Sequence, residues 1–298
     1  MKTLRSKAPR IGDDKRTRFR SLCFLAPSLL GVIVFFLAPF CVVVFYAFVD
    51  NPINREFVGF ENFRIILKNA AFKKAAANTL SFSLTAVPLS VVLSLALALI
   101  LEAKIPGKSK FRTFFLSPMM VPVASVVLIW QVVFHYNGAL NDFLSAFGVE
   151  QIDWLKSKFG QIVITVLYLW KNLGYNMVLF MAALSNIPKD QLEAAAIDGA
   201  GKTRIFFKIK LRYLSASLLF VTLLSLINSF KVFRETYLLT GDYPYESIYF
   251  LQHYMNNVFK DLDYQRLSAA ALLMFAVVIV LIGILFIIDA RLGKDVEE

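Results

Sequence analysis

Residues 187–213 read IPKDQLEAAAIDGAGKTRIFFKIKLRY, a polar, basic segment rich in small side chains and set between two long apolar blocks. Ser185 or Asn186 can cap a helix here and Pro188 suits its first turn. Asp190 and Glu193 sit where a helix N-terminus favours negative charge. Leu192, Ala195, Ala196 and Gly199 then recur at i, i+3, i+4 and i+7. They make one narrow face of small side chains that can approach another surface closely. Gly199 and Gly201 can end the helix before the chain enters the next apolar block.

Outward from this segment the sequence is dominated by lipid-like composition. Its 298 residues are 58% hydrophobic and only 18% charged, with a mean hydropathy of +0.63. Soluble domains average roughly 45–50% apolar and about 25% charged residues. The apolar residues lie in blocks of about twenty, long enough as helices to cross a hydrocarbon core of about 30 Å. The predicted spans are 22–49, 79–101, 111–134, 161–184, 214–230 and 267–288, giving an all-α integral membrane protein with six transmembrane helices. Residues 1–21 form an N-terminal tail, 185–213 a loop between spans, and 289–298 a C-terminal tail. The first span is too long for a cleavable signal core of roughly 7–15 residues, so it is expected to be retained. Pro27 and Pro39 mark its edges or kinks.

The net charge of +11 raises nucleic acid as a partner, but its distribution argues for membrane orientation instead. The tail to Arg20, residues 102–113, residues 185–213 and the segment after Ile288 hold twenty Lys and Arg; the alternate connections, although longer, hold eleven. Positive loops face the cytoplasm, so both termini and the loop 185–213 are placed there. The two cysteines, Cys23 and Cys41, fall in the first span, and His135 and His253 are far apart. No disulfide framework, metal-ligand cluster or catalytic group is expected. Gly201-Lys202-Thr203 imitates the end of a phosphate-binding loop. Its first glycine would fall at Ala196, however, and no strand is expected before it.

The loop resembles the cytoplasmic signature of the inner-membrane permeases of ATP-binding-cassette importers: Glu-Ala-Ala, three residues, Gly, nine residues, Ile, one residue, Leu-Pro. Glu193-Ala194-Ala195, Gly199, Ile209 and Leu211 match at that spacing, and Arg212 replaces the Pro. Further stretches similar to the carbohydrate-uptake branch are FLAPSLLGVIVFFLAPF from Phe24, FVGFENF from Phe57, Asn78-Thr79-Leu80, Trp170-Lys171 with Gly174, Ala200-Gly201, and SFKVFRETYLLT from Ser229. The family's usual Gly-Gly-Pro is replaced by Gly241-Asp242-Tyr243-Pro244, which implies a different outer loop.

The resemblance implies a type I ABC importer permease fold and a transport subunit that is not itself an enzyme. It implies a second permease subunit, in a heterodimer, and two cytoplasmic ATPase subunits that carry ATP and Mg. It also implies an external solute-binding protein, a sugar substrate, membrane lipid around the spans and location in a bacterial inner membrane. Glu193, Ala194, Ala195, Asp198 and Gly199 would form the coupling helix that docks into an ATPase groove.

A hydrated solute needs polar groups inside the bundle. The fourth span offers Lys171, Asn172 and Tyr175, and the fifth offers Ser225, Asn228 and Ser229. Each either lines the solute path or bonds across helices. Tyr175 or Trp170 can stack on a sugar. Lys171 meets an acidic solute, or else pairs inside the bundle or with a partner. Beyond Phe230, Lys231, Arg234 and Glu235 interrupt a further apolar piece. This segment either lines a cavity or ends the span, with its cations snorkelling to headgroups. Residues 246–260 are expected to form an amphipathic outer helix. The alternatives are the same importer role for a polyol, glycerol phosphate or peptide, an ion-coupled secondary transporter, and a membrane hydrolase. The secondary transporter needs intramembrane carboxylates, which the six expected spans lack.

Overall fold

A computed structural model describes residues 15–102 and 107–292, so most of the two tails and part of the connection after the second span lie outside the described residues. Fifteen α-helices follow one another among the described residues: α1 (Lys15–Val32), α2 (Ala38–Ala47), α3 (Glu61–Lys68), α4 (Ala70–Glu102), α5 (Lys108–Met120), α6 (Val123–Phe134), α7 (Ala139–Ser145), α8 (Gly160–Ser185), α9 (Lys189–Ile197), α10 (Lys202–Ile205), α11 (Leu211–Tyr213), α12 (Ser215–Lys231), α13 (Phe233–Thr240), α14 (Leu251–Lys260) and α15 (Tyr264–Leu292). Six helical stretches are long and apolar enough to cross a membrane. The single bridge Val49–Phe57 is the only β pairing among the described residues.

The first crossing is α1 and α2 joined by a π-helical turn, Ile33–Leu37. Pro39 stands two residues beyond that turn, in the first turn of α2. A proline has no N–H to give and its ring crowds the carbonyl four residues back, which accounts for a local widening there. No described side chain from Cys23 to Phe40 is buried, and Phe24 is 88% exposed; only the far end of the rod packs on the chain, against α15. Large apolar side chains left bare in this way require lipid or another subunit as solvent. The last carbonyls of this rod are held by Asn62, whose amide donates to Ala47 (3.0 Å) and Val49 (2.9 Å).

The expected third span, 111–134, is broken. Val121 and Pro122 take extended backbone angles (ψ 130° and 138°) between α5 and α6, because a residue before proline is driven out of the helical region. The apolar stretch of crossing length there runs Val123–Ser145. At the centre stands α8, packed on α4, α5 and α12. Gly174 lets α5 and α8 touch: a Cβ there would lie 1.8 Å from the Phe115 carbonyl oxygen. Small residues permit such backbone approach where helices gain little from the hydrophobic effect.

Three apolar clusters hold the bundle, one around Phe82, Ile164 and Leu167, one around Ile66, Phe72 and Ala269, and one around Phe180, Leu184 and Leu214. α14 is amphipathic as expected but does not merely rest on the surface. Leu251, His253, Tyr254 and Asn257 are buried. Its start is pinned to α4, where the Leu251 amide donates to the Thr79 hydroxyl (2.8 Å) and Asn78 donates to the Tyr249 carbonyl (3.0 Å).

Candidate functional site

The fifth crossing does not stop at Phe230. No proline or glycine occurs between Ser215 and Thr240, so the helix carries on through a slight irregularity at Val232 into α13. Gly241 (φ 78°) ends it, its amide donating to Tyr237 (2.8 Å). Lys231, Arg234 and Glu235 therefore stand inside a crossing of 26 residues, Ser215–Thr240. The helix that continues the fifth expected span beyond Phe230 thus carries a carboxylate, Glu235, which is buried.

Its partner is Lys171 of α8, whose ammonium donates to the Glu235 Oε1. Each charge alone would cost about 2.5–3.5 kcal/mol at the centre of a crossing helix on insertion scales. Paired, they cancel on a cavity wall where Glu235 is buried and Lys171 is about a quarter exposed, so Lys171 meets an internal counter-ion. The pair sits on the wall of a cavity of about 580 Å³ between α8, α12, α13 and α14, which Asn172, Tyr175, Asn228, Lys231 and Arg234 also line. Asn228 donates to the Asn172 Oδ1 (3.0 Å), and Asn172 donates to the Tyr168 carbonyl (2.8 Å). Tyr168 and Gln252, which the sequence did not single out, belong to the same wall, as does Glu235, so the segment from Lys231 to Glu235 lines a cavity. The signal for Glu235 was present: a lone lysine in an apolar span demands a carboxylate within reach.

Ser225 and Ser229 are placed elsewhere. Both are buried and neither lines the cavity. The Ser225 hydroxyl receives a bond from Asn176 (2.9 Å), which also donates to Ser90 (3.0 Å); the Tyr168 hydroxyl donates to the Ser225 carbonyl (2.7 Å). Ser229 donates to the Leu226 carbonyl (2.7 Å), and its hydroxyl lies 2.9 Å from that of Ser83. These groups join α4, α8 and α12, which is the second of the two readings open to them, bonds across helices. Trp170 likewise turns away from the cavity and packs on Trp130, ring centroids 5.4 Å apart.

At the other end of α8, neither Ser185 nor Asn186 caps α9; Pro188 occupies the N-cap position without a side-chain bond. The helix ends in a Schellman arrangement. Gly199 (φ 79°) and Ala200 donate to Ala196 (3.1 Å) and Ala195 (2.9 Å). Leu192 and Ala195 turn partly inward, while Glu193, Ala194, Asp198 and Gly199 are exposed, as is Ile197 at 85%. The outward face is thus acidic, small and apolar together. Tyr213 donates to Gln191 (2.6 Å), and Lys210 pairs with Glu102 (2.6 Å), fixing this loop to the ends of the crossings. Gly201-Lys202-Thr203 opens the four-residue α10, without a strand before it.

A bundle of helices long and apolar enough to cross a membrane, with a polar-lined cavity and a short exposed helix, has the parts a membrane permease needs. The chain belongs to the family described as binding-protein-dependent transport system inner membrane component, whose model matches residues 90–297. It is 32% identical to the multiple sugar-binding transport system permease protein MsmF of Streptococcus mutans, over 92% of this chain and 95% of that one. It is 31% identical to the sulfoquinovosyl glycerol transport system permease protein SmoG of Agrobacterium fabrum, over 88% of each. The fold is that of a solved bacterial alginate ABC transporter chain: TM-score 0.80 and 18% identity, covering 96% of this chain and 99% of that one. The protein is accordingly an inner-membrane, multi-pass transport subunit, not a catalytic one.

Proposed function

We propose that this chain forms half of the translocation path for a sugar or oligosaccharide in an ATP-driven, binding-protein-dependent importer. A second, different permease completes the path, an external binding protein delivers the solute, and two ATPase subunits, carrying ATP and Mg, drive it. Both termini and the loop 185–213 face the cytoplasm. The reading is supported by relatives named for sugar transport, MsmF among them. A relative named for sn-glycerol-3-phosphate transport, UgpA of Escherichia coli, matches over less of the chain, 72%.

The observation that carries the coupling role is α9. Nothing on it is fully buried, its Gly199 turn halts it abruptly, and its outward face offers Glu193 and Ile197 to a groove. Tyr213 and the Lys210–Glu102 pair give a displaced α9 a mechanical path into α12 and α4. Closure of the ATPases then moves the crossings as rigid bodies and exposes the cavity to alternate sides. Glu193→Arg in the assembled importer is expected to cut solute-stimulated ATP hydrolysis and uptake at least tenfold. Parental activity of that variant contradicts the coupling role.

A further inference from the structure

The cavity wall is unevenly equipped for a solute. Its one carboxylate, Glu235, is already engaged by Lys171. Asn172 spends its acceptor on Asn228, and the Tyr168 hydroxyl is spent on Ser225. Lys231 and Arg234 line the same cavity with no ion pair or hydrogen bond to any described residue. Three cations face one carboxylate, an excess of two positive charges.

Both cations are exposed and stand in the helix Ser215–Thr240, Arg234 about 9 Å and Lys231 about 14 Å from its outer end at 1.5 Å per residue. Lys171 lies roughly midway along α8, about 17 Å from one end and about 21 Å from the other at 1.5 Å per residue. Glu235 is tied to it, so Arg234 beside Glu235 and Lys231 one turn away are held near the same level. No described residue of this chain gives either of them a counter-charge.

We infer that the solute passing this cavity carries an anionic group, a carboxylate, sulfonate or phosphate on a saccharide, and that Lys231 and Arg234 receive it. The inference rests on the importer reading above. Arg234 offers a planar fork for two acceptor oxygens and Lys231 a point charge, the pairing that binds oxyanions; basic side chains lining a pore select anions for the same reason. The Lys171–Glu235 pair then acts as a neutral wall. A neutral sugar, which needs acceptors as much as donors, finds no free carboxylate here.

The test is uptake by cells carrying the complete importer, set against a strain lacking it. Digalacturonate, glucose 6-phosphate and a sulfonated glycoside serve as anionic probes and cellobiose as the neutral one, each also supplied as an unlabelled competitor. One anionic probe is expected to be taken up at least about tenfold faster than cellobiose, and the three anions separate the chemistries. The K231Q/R234Q double variant is expected to lose that uptake about tenfold or more, while K231R/R234K retains it and both still co-purify with their partners. Preference for cellobiose, or anionic uptake unchanged in K231Q/R234Q, overturns the inference and leaves the sugar importer standing. Uptake of none of the four strikes the sugar reading itself and takes the inference with it.

Discussion

Two polar regions share the same helices and similar residues, yet their surroundings differ. The group Ser90, Asn176, Ser225, Ser229 and Ser83 is buried and bonded across α4, α8 and α12. One to two turns away, Asn172, Asn228, Lys231, Arg234 and the Lys171–Glu235 pair border an open cavity. Spacing along one helix does not separate them, since Ser225, Asn228 and Ser229 fall within five residues. What separates them is whether the neighbouring helix supplies a partner or a void. The first region fixes the bundle, and the second retains donors for something that enters.

Breaking the ion pair from one side gives the largest expected effect. Lys171→Met leaves Glu235 buried without its counter-charge and is expected to cost about 3–5 kcal/mol, seen as lost folded yield and a lower Tm in detergent. Lys171→Met with Glu235→Leu is expected to recover most of that. A single variant as stable as the parent would show that the pair is not desolvated.

A buried ring with one nitrogen unpartnered and no void beside it sharpens the contrast at the outer end. His253 of α14 is fully buried, its Nδ1 accepts from the Phe250 amide, and its Nε2 has no partner. Burial lowers its pKa from 6.5 to about 4. The neutral ring is therefore favoured by the fold, and its contribution is complete above pH 6.5 and lost as pH falls from 6.5 toward 4. On the order of 3 kcal/mol is involved. Thermal melts across that window are expected to show a destabilisation that His253→Phe, which cannot titrate, largely removes.

Within the sealed region, Asn176→Leu removes two interhelical bonds and is expected to cost about 1–2 kcal/mol, lowering Tm without altering which solute is transported. Smallest is the effect of Asn228→Ala on stability, about 0.6 kcal/mol, because its neighbour Asn172 can turn to the cavity. Uptake should fall several-fold all the same. If the two variants exchanged phenotypes, the distinction between the regions would fail.

The helical crossings were legible from apolar blocks alone, because lipid demands some twenty apolar residues in succession. The end of the fifth was not. Three charges in five residues, Lys231 to Glu235, look like an exit from the membrane, and only the fold brings Lys171, 64 residues away, to neutralise Glu235. The break at Pro122 was in principle readable from the residue preceding a proline. The small face and the Gly199 stop of α9 could be read because they are local, whereas its start could not, since Pro188 rather than Ser185 or Asn186 holds the N-cap position. Ser225 and Ser229 stayed between two readings for the opposite reason: which face of a crossing meets a neighbour and which meets a cavity is settled by α4 and α8, not by the helix that carries the serines.

Thiol labelling from water tests the division most directly. In the assembled importer with Cys23→Ser and Cys41→Ala, Asn228→Cys is expected to react with a membrane-impermeant maleimide and to be protected by transported solute, whereas Ser225→Cys stays unlabelled. Equal labelling at both positions, or at neither, contradicts the account.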